Sequence, residues 1–455
     1  MAAGIWAAPL LRLASASTSL SLCHAAFVSN LDPDRVYLEE QRPQAGMGII
    51  HWALRYHVDS AAREVRTTIG GAFTQRALFR EPHGCLLAHL QPDPTRLPIP
   101  APAPAPASPP AAAPDVRLRA ALDEAFAEKD PAATLQTKAV VVLHDGQLIA
   151  ERYAAGYGPS TQLWGYSATK SVMSALVGVL VAQGRLRVEA RAPVSAWQAP
   201  GDPRSAVTLD QLLRMTSGLA FDAGTGLLSP TRRLLYLEAD PVGFAESQPL
   251  VATPGSQWGY SNVGYAIVSR IVRDAIGGSA QDVAAFVRRE LFEPLGMTSA
   301  RLGLDASGTP VGSAFMFASA RDWARFGQMY LDEGVAGGRR VLPEDWVRYS
   351  TTPIEGTGYG AGFWTNRAQR GKIPIWGVPW GLGGLPEDAF FCRGSQGQFI
   401  IMVPRAKLVV ARFGITRGSE QGITDFVRTI LDVIQADSHA SKASASKNVS
   451  GETHE

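Results

Sequence analysis

Trp164-Gly-Tyr-Ser-Ala-Thr-Lys-Ser171 leads into an apolar run, Met173, Ala175, Leu176, Val177, Val179, Leu180, Val181 and Ala182, which ends at Gln183-Gly184. A segment that is apolar nearly all round predicts a buried helix, and Gly184 fits the position just past a helix C-terminus. Residues three apart share a helix face, so Ser167 and Lys170 meet where that helix opens. Lysines are few in this arginine-rich chain, and one that enters an apolar helix calls for a reason. Burial favours the neutral amine, and a neutral amine beside a hydroxyl can take its proton. Ser167 and Lys170 therefore read as a nucleophile with its base. The spacing alone carries little, since Ser444-Ala-Ser-Lys447 repeats it in a polar tail.

The surrounding chain of 455 residues has room for one large domain with additions. A formal net charge of +2 gives no electrostatic case for nucleic acid, and no apolar run is long enough to predict a membrane span. Cys23, Cys85 and Cys392 form neither a paired-cysteine motif nor a zinc pattern. Cys23 and Cys85 pair if the chain is exported and stay as buried thiols if it is not.

Residues 1–22 are apolar and small, with Ala14-Ser-Ala16 as a cleavage-like site, and read as a secretory signal segment. This points to a periplasmic or secreted protein. Residues 23–95 read as a small β-rich module, with Gly48–Leu54 and Glu64–Ile69 as strands and Gly70-Gly71 as punctuation. His51, His57, His83 and His89 lie there without metal-ligand spacing, and no metal or cofactor is expected. Residues 96–114 alternate Pro with Ala and predict a semi-rigid polyproline linker.

The main domain is expected over residues 115–437, with residues 438–455 as a disordered tail. An amphipathic helix from Val116 precedes two strands joined at Asp145-Gly146, a hairpin signal. Thr208 can cap a short helix at Leu209–Met215. A loop through Trp258-Gly-Tyr-Ser-Asn262 feeds another helix that stops at Gly277-Gly278. Helices at Ala320–Leu331 and Pro343–Ser350 follow. Three strands, Ala389–Arg393, Phe399–Val403 and Leu408–Phe413, and a last helix over Thr424–Gln435 close the fold. The order predicts an α+β fold, an antiparallel sheet flanked by helices with a helical subdomain.

No histidine occurs between Asp145 and Asp437, so lysine and tyrosine are the plausible bases of this domain. Ser167-Ala-Thr-Lys170, Tyr260-Ser-Asn262 and Arg393-Gly-Ser-Gln-Gly-Gln398 follow one another in the order of the three motifs of serine β-lactamase-related proteins, which the chain resembles over roughly residues 115–436. The tyrosine-x-asparagine motif is similar to that of the class C β-lactamase and penicillin-binding-protein branch. Leu212-Leu-Arg-Met-Thr-Ser-Gly218 with Phe221-Asp222, Pro254-Gly255 and Leu291-Phe-Glu-Pro-Leu-Gly-Met297 resemble the 6-aminohexanoate-dimer hydrolase group.

The resemblance implies that Ser167 forms an acyl-enzyme, that Lys170 activates it and that Tyr260 relays a proton to the leaving group. It implies that Asn262 orients Lys170 or binds substrate. The oxyanion hole would use the N–H groups of Ser167 and Ser395, with Gln396 the neighbouring choice and a substrate contact. The family's usual third-motif lysine is absent, and Arg393 is the only nearby cation. That departure favours a small linear amide or ester over a β-lactam or a D-Ala peptide. Ile375-Trp-Gly-Val-Pro-Trp380 reads either as a pocket wall or as core. A catalytically silent peptide-binding protein on the same scaffold is the competing reading, against which the intact Ser167, Lys170 and Tyr260 set speaks.

Overall fold

The structure, a computed structural model, describes residues 2–90, 115–128, 134–220, 226–367, 371–373 and 377–449. The expected linker at 96–114, Phe221-Asp222 and Ile375-Trp376 lie outside the described residues.

The N-terminal module opens with helix α1 (Ala2–His24). Four strands follow as an antiparallel meander, β1 (Leu54–Asp59), β2 (Glu64–Ile69), β3 (Phe73–Arg80) and β4 (Gly84–Leu87). Residues 1–22 were expected to be a removable leader. In the structure α1 lies on the meander, with Leu13, Ala16, Leu20 and Cys23 buried and Arg12 on the exposed side. Gly48–Leu54, expected as a strand, is also mostly helical: Met47–Ile50 is one helical turn and His51–Ala53 a 3₁₀ turn. Met47 is buried and Ile50 half-buried while Ile49 and Trp52 are exposed, a helical rather than alternating pattern. Cys23 and Cys85 are joined by a disulfide that ties α1 to β4, while Cys392 is buried and free.

The main domain begins with α2 (Val116–Phe126), capped by the Asp115 side chain. Strands β5 (Thr137–His144) and β6 (Gln147–Tyr153) turn at Asp145 and Gly146, both with positive φ, as a tight hairpin requires. The nucleophile helix α3 (Thr169–Ala182) and α4 (Asn262–Ile276) pack together in the helical region. Between them, Thr208 and Gln211 form the reciprocal cap of the short helix Leu209–Leu213. Helix α5 (Ala320–Leu331) precedes β7 (Trp364–Thr365), β8 (Phe390–Gly394), β9 (Gln398–Val403) and β10 (Leu408–Gly414).

These strands make a six-stranded antiparallel sheet in the order β7-β8-β9-β10-β5-β6. The chain's two ends thus meet at its centre, where Val410 pairs with Val142 and Phe413 with Ala139. Strands β9 and β10 are buried at every residue, so both sheet faces are covered. On one face α5 comes so close that a Cβ on Gly327 would crowd Val409 and Ile400. Helix α2 packs with the last helix, α6 (Gln421–Val449). That helix passes residue 437, where order was expected to end. Its alanine-rich continuation holds no Gly or Pro to stop it. Among the described residues no helix is long and apolar enough to cross a membrane.

The module docks on the main domain through Ala314, Phe315 and Phe317, which share its apolar core. Polar contacts add to this: Ser29 Oγ donates to the Gln162 carbonyl at 2.6 Å, and Lys138 Nζ to Glu39 Oε2 at 2.7 Å. The disulfide closes a sequence separation of 62 residues. Chain-entropy reasoning puts its contribution at about 4 kcal/mol. The Cys23→Ser, Cys85→Ser double variant is therefore expected to unfold at clearly lower denaturant than wild type. Equal denaturation midpoints under oxidising conditions would count against a native disulfide.

Candidate active site

Tyr166–Ala168 is a 3₁₀ turn that runs straight into α3, so Ser167 sits two residues before the helix and Lys170 in its first turn. Tyr166 has φ 47°, a left-handed conformation that costs a bulky residue energy. Packing holds the turn there. Gly165 lies against Trp323, whose ring a Cβ would overlap, and Gly394 at the end of β8 lies against the Gly165 carbonyl, which allows no side chain either. The third-motif strand and the nucleophile turn are thereby brought into direct backbone contact.

Lys170 is 1% exposed. Its Nζ lies 3.1 Å from Ser167 Oγ, 2.6 Å from Asn262 Oδ1 and 2.7 Å from the Ser313 carbonyl. Among the described residues no carboxylate pairs with it, and burial holds the amine well below the ordinary lysine range. A neutral amine carries two N–H donors and one lone pair. The amide oxygen of Asn262 and the carbonyl of Ser313 can only accept, so they take both donors. The lone pair is left for the Ser167 hydroxyl.

Tyr260 reaches the same serine. Its hydroxyl is in hydrogen-bond contact with Ser167, and burial pushes the phenol up to about 12 against that bond. The Tyr260 ring stacks on Trp364 and lies 4.9 Å from Lys170 Nζ. A phenol that keeps its proton donates to Ser167 Oγ, and Ser167 donates to Lys170. Asn262 is the first residue of α4, behind the Ser261 cap, and its Nδ2 donates to Thr231 Oγ1 at 2.7 Å. With its oxygen on Lys170 and its nitrogen on Thr231, Asn262 is engaged in orienting the amine.

Ser395 and Gln396 follow β8 and line the same cavity as Ser167. Gln396 is left-handed, φ 64°. Its Nε2 donates to the Tyr166 hydroxyl at 3.3 Å, and its carbonyl accepts from Thr416 N–H at 2.9 Å. The turn is braced from below. Buried Arg412 donates to the Gly397 carbonyl at 2.8 Å, and Gln398 Nε2 to the Ser395 carbonyl at 3.0 Å. Arg393 pairs with Glu420 at 2.7 Å and its guanidinium lies near the Trp364 and Phe399 rings. Trp380 packs edge-on against Trp258 in the aromatic cluster behind Tyr260 and does not line the cavity.

Three participants escaped the sequence reading. The Ser313 carbonyl is main chain and carries no residue signature. Thr231 acts only through Asn262. Glu40 belongs to the N-terminal module, where no chemistry was expected, yet its Oε2 accepts from the Tyr166 hydroxyl at 3.2 Å. Burial pushes the Glu40 carboxyl up to about 7, with the Tyr166 bond and Lys138 opposing. Among the described residues no cluster of three or more His, Cys, Asp or Glu is placed to hold a metal ion.

The chain matches the β-lactamase family over residues 122–425. It belongs to that family. Among curated β-lactamase-family relatives, 6-aminohexanoate-dimer hydrolase of Paenarthrobacter ureafaciens is 26% identical over 230 residues, 46% of this chain and 56% of that protein. The chain thus spans little more than half of that relative's length. Penicillin-binding protein 4 of Amycolatopsis lactamdurans is 28% identical over 58% of this chain and 75% of its own. Of solved structures, a penicillin-binding-protein homologue from Caulobacter crescentus shares the fold, with a TM-score of 0.53 at 18% identity over 70% of this chain and 97% of its own.

Glu40 supplies a test of the site's electrostatics. Its folded-state value lies above the ordinary carboxyl value, so folding favours the protonated form. The stability this group contributes is complete below about pH 4.5 and falls as pH rises through about 7. Glu40→Gln keeps a hydrogen-bonding side chain without the charge. The stability of the variant relative to wild type should rise across that window and level off above it. Parallel melting-temperature curves from acid to neutral pH would contradict a buried, titrating Glu40.

Proposed function

We propose that this protein is a serine hydrolase that cleaves a small amide or ester through an acyl-enzyme on Ser167. The observation that carries the reading is Lys170: a buried amine with both donors taken by acceptor-only oxygens and its lone pair toward Ser167. As Ser167 Oγ bonds to the substrate carbonyl carbon, Lys170 takes the hydroxyl proton. The tetrahedral oxyanion is received by the N–H groups of Ser167 and Ser395. Tyr260 gives its phenolic proton to the departing amine or alcohol as the carbonyl–leaving-group bond breaks, and the proton on Lys170 then restores the phenol. Water attacks the ester in the second half, with the same two groups moving its proton to Ser167. Asn262 orients the base, and Gln396 holds the turn that presents Ser395.

The engaged Arg393 and the missing third-motif lysine favour linear amides and esters over a β-lactam or D-Ala peptide as the substrate class. The disulfide supports an oxidising location, periplasmic or secreted.

Intact mass after exposure to a fluorophosphonate tests the nucleophile. One adduct is expected on wild type and none on Ser167→Ala; an adduct on the variant would put the nucleophile elsewhere, and none on folded wild type would favour a silent binder. The base is tested by pH. The catalytic efficiency kcat/KM should rise over a limb that lies well below the ordinary lysine range, because Lys170 must be neutral. Lys170→Arg, whose guanidinium stays charged, and Tyr260→Phe should each lower kcat/KM by about 10²–10⁴-fold. Full activity in Lys170→Arg would remove Lys170 from the role of base.

A further inference from the structure

The β-lactamase-family match begins at residue 122, yet the cavity onto which Ser167 opens has one wall built from residues 10–50. Helix α1 presents Leu10, Leu11, Leu13 and Ala14 to it, and the turn Met47–Ile50 adds Met47 and Ile50. Leu235 and Phe315 line it from the main domain, together with Ser167 and Ser395. The cavity volume is about 610 Å³, within the ordinary range for a small-molecule site.

Two of the charged residues in this lining are engaged with the protein itself. Glu40 accepts from Tyr166, and the Arg417 guanidinium donates to the Glu39 carbonyl at 2.5 Å. Arg232 is the third, and the module's side also carries Ser17, Ser21, Gln41 and Gln44; beside them Leu11, Ala14, Met47 and Ile50 pack together as an apolar strip. Ile49 and Trp52, on the other face of this turn, are 77% and 71% exposed. Leu227, also in the lining, is 37% exposed and close to Gly46.

We propose that residues 10–50 form the acyl-chain subsite of this enzyme, and that its substrates carry a linear, mainly apolar acyl group. The chain lies along α1 and Met47–Ile50 while its carbonyl carbon sits at Ser167 Oγ. This rests on Ser167 being the nucleophile. A compact or charged acyl group would leave the strip unfilled and gain little from it. Each methylene laid on the strip leaves water, which is worth roughly a two- to fourfold gain in kcat/KM if the contact persists in the transition state.

The test is a series of p-nitrophenyl esters from acetate to dodecanoate, with one leaving group throughout. The expected profile climbs by about two- to fourfold per methylene to an optimum at medium chain length, then falls as the cavity fills. In Leu11→Trp and Ile50→Trp the ratio of medium-chain to acetate kcat/KM should drop by about tenfold or more, because the added ring occupies the strip. A profile that falls from acetate onward overturns the proposal, as does a wild-type profile in both variants or no turnover of the series by an enzyme that labels at Ser167. If a variant fails to fold, the wild-type profile alone decides. Fluorophosphonate labelling separates the two levels: a labelled enzyme with the wrong profile loses only the acyl-chain subsite, whereas an unlabelled one loses the nucleophile.

Discussion

A charged ammonium with no carboxylate partner cannot be held cheaply in an apolar interior. Burial therefore pushes Lys170 toward the neutral amine, and the candidate site depends on this one constraint. The helix α3 that buries it is apolar nearly all round, and Asn262 and Ser313 supply acceptor oxygens to its Nζ beside Ser167. The same burial keeps the proton on Tyr260. One physical cause, removal from water, moves a lysine and a tyrosine in opposite directions, one on each side of Ser167.

Geometry has to match that electrostatic arrangement, and it is enforced by close packing. Two residues with side chains, Tyr166 and Gln396, adopt left-handed backbone conformations on either side of the reaction centre. Their side chains are hydrogen-bonded to each other, and Glu40 completes the chain. Gly165 and Gly394 are glycines for a steric reason, the contact between backbone and backbone or backbone and indole. Buried Arg412 has its guanidinium pulled down to about 9 by burial; its Nη1 donates to the Gly397 carbonyl and Thr416 Oγ1, and its Nη2 to the Leu135 carbonyl and Thr137 Oγ1. The strained turn and the loop beside it are thus held from the module, from α5 and from the sheet.

Legibility in the sequence followed the range of the interaction. Ser167 and Lys170 could be read because they are one helical turn apart. The late strands and Ala320–Leu331 could be read because their patterns are local and strong. The α+β fold and the family followed from three motifs in order. Residues whose roles come from tertiary proximity left no mark: Glu40 meets Tyr166 from 126 positions away, and Ser313 acts through its main chain. The turn at Met47–Ile50 was misread because β-branched composition outweighed a spacing that only its packing reveals. The last helix ran on because a polar, alanine-rich stretch keeps its helical propensity.

The docking of the module also has a consequence for biosynthesis. The partners of helix α1, Phe315 and Phe317, are made long after it. At about 5–20 residues per second the wait is on the order of ten seconds or more. The four-stranded meander is complete by Leu87, and it covers one side of α1 from the start. The module is therefore its own escort: it shelters an apolar helix through translation and surrenders the uncovered side only when the main domain has arrived to receive it.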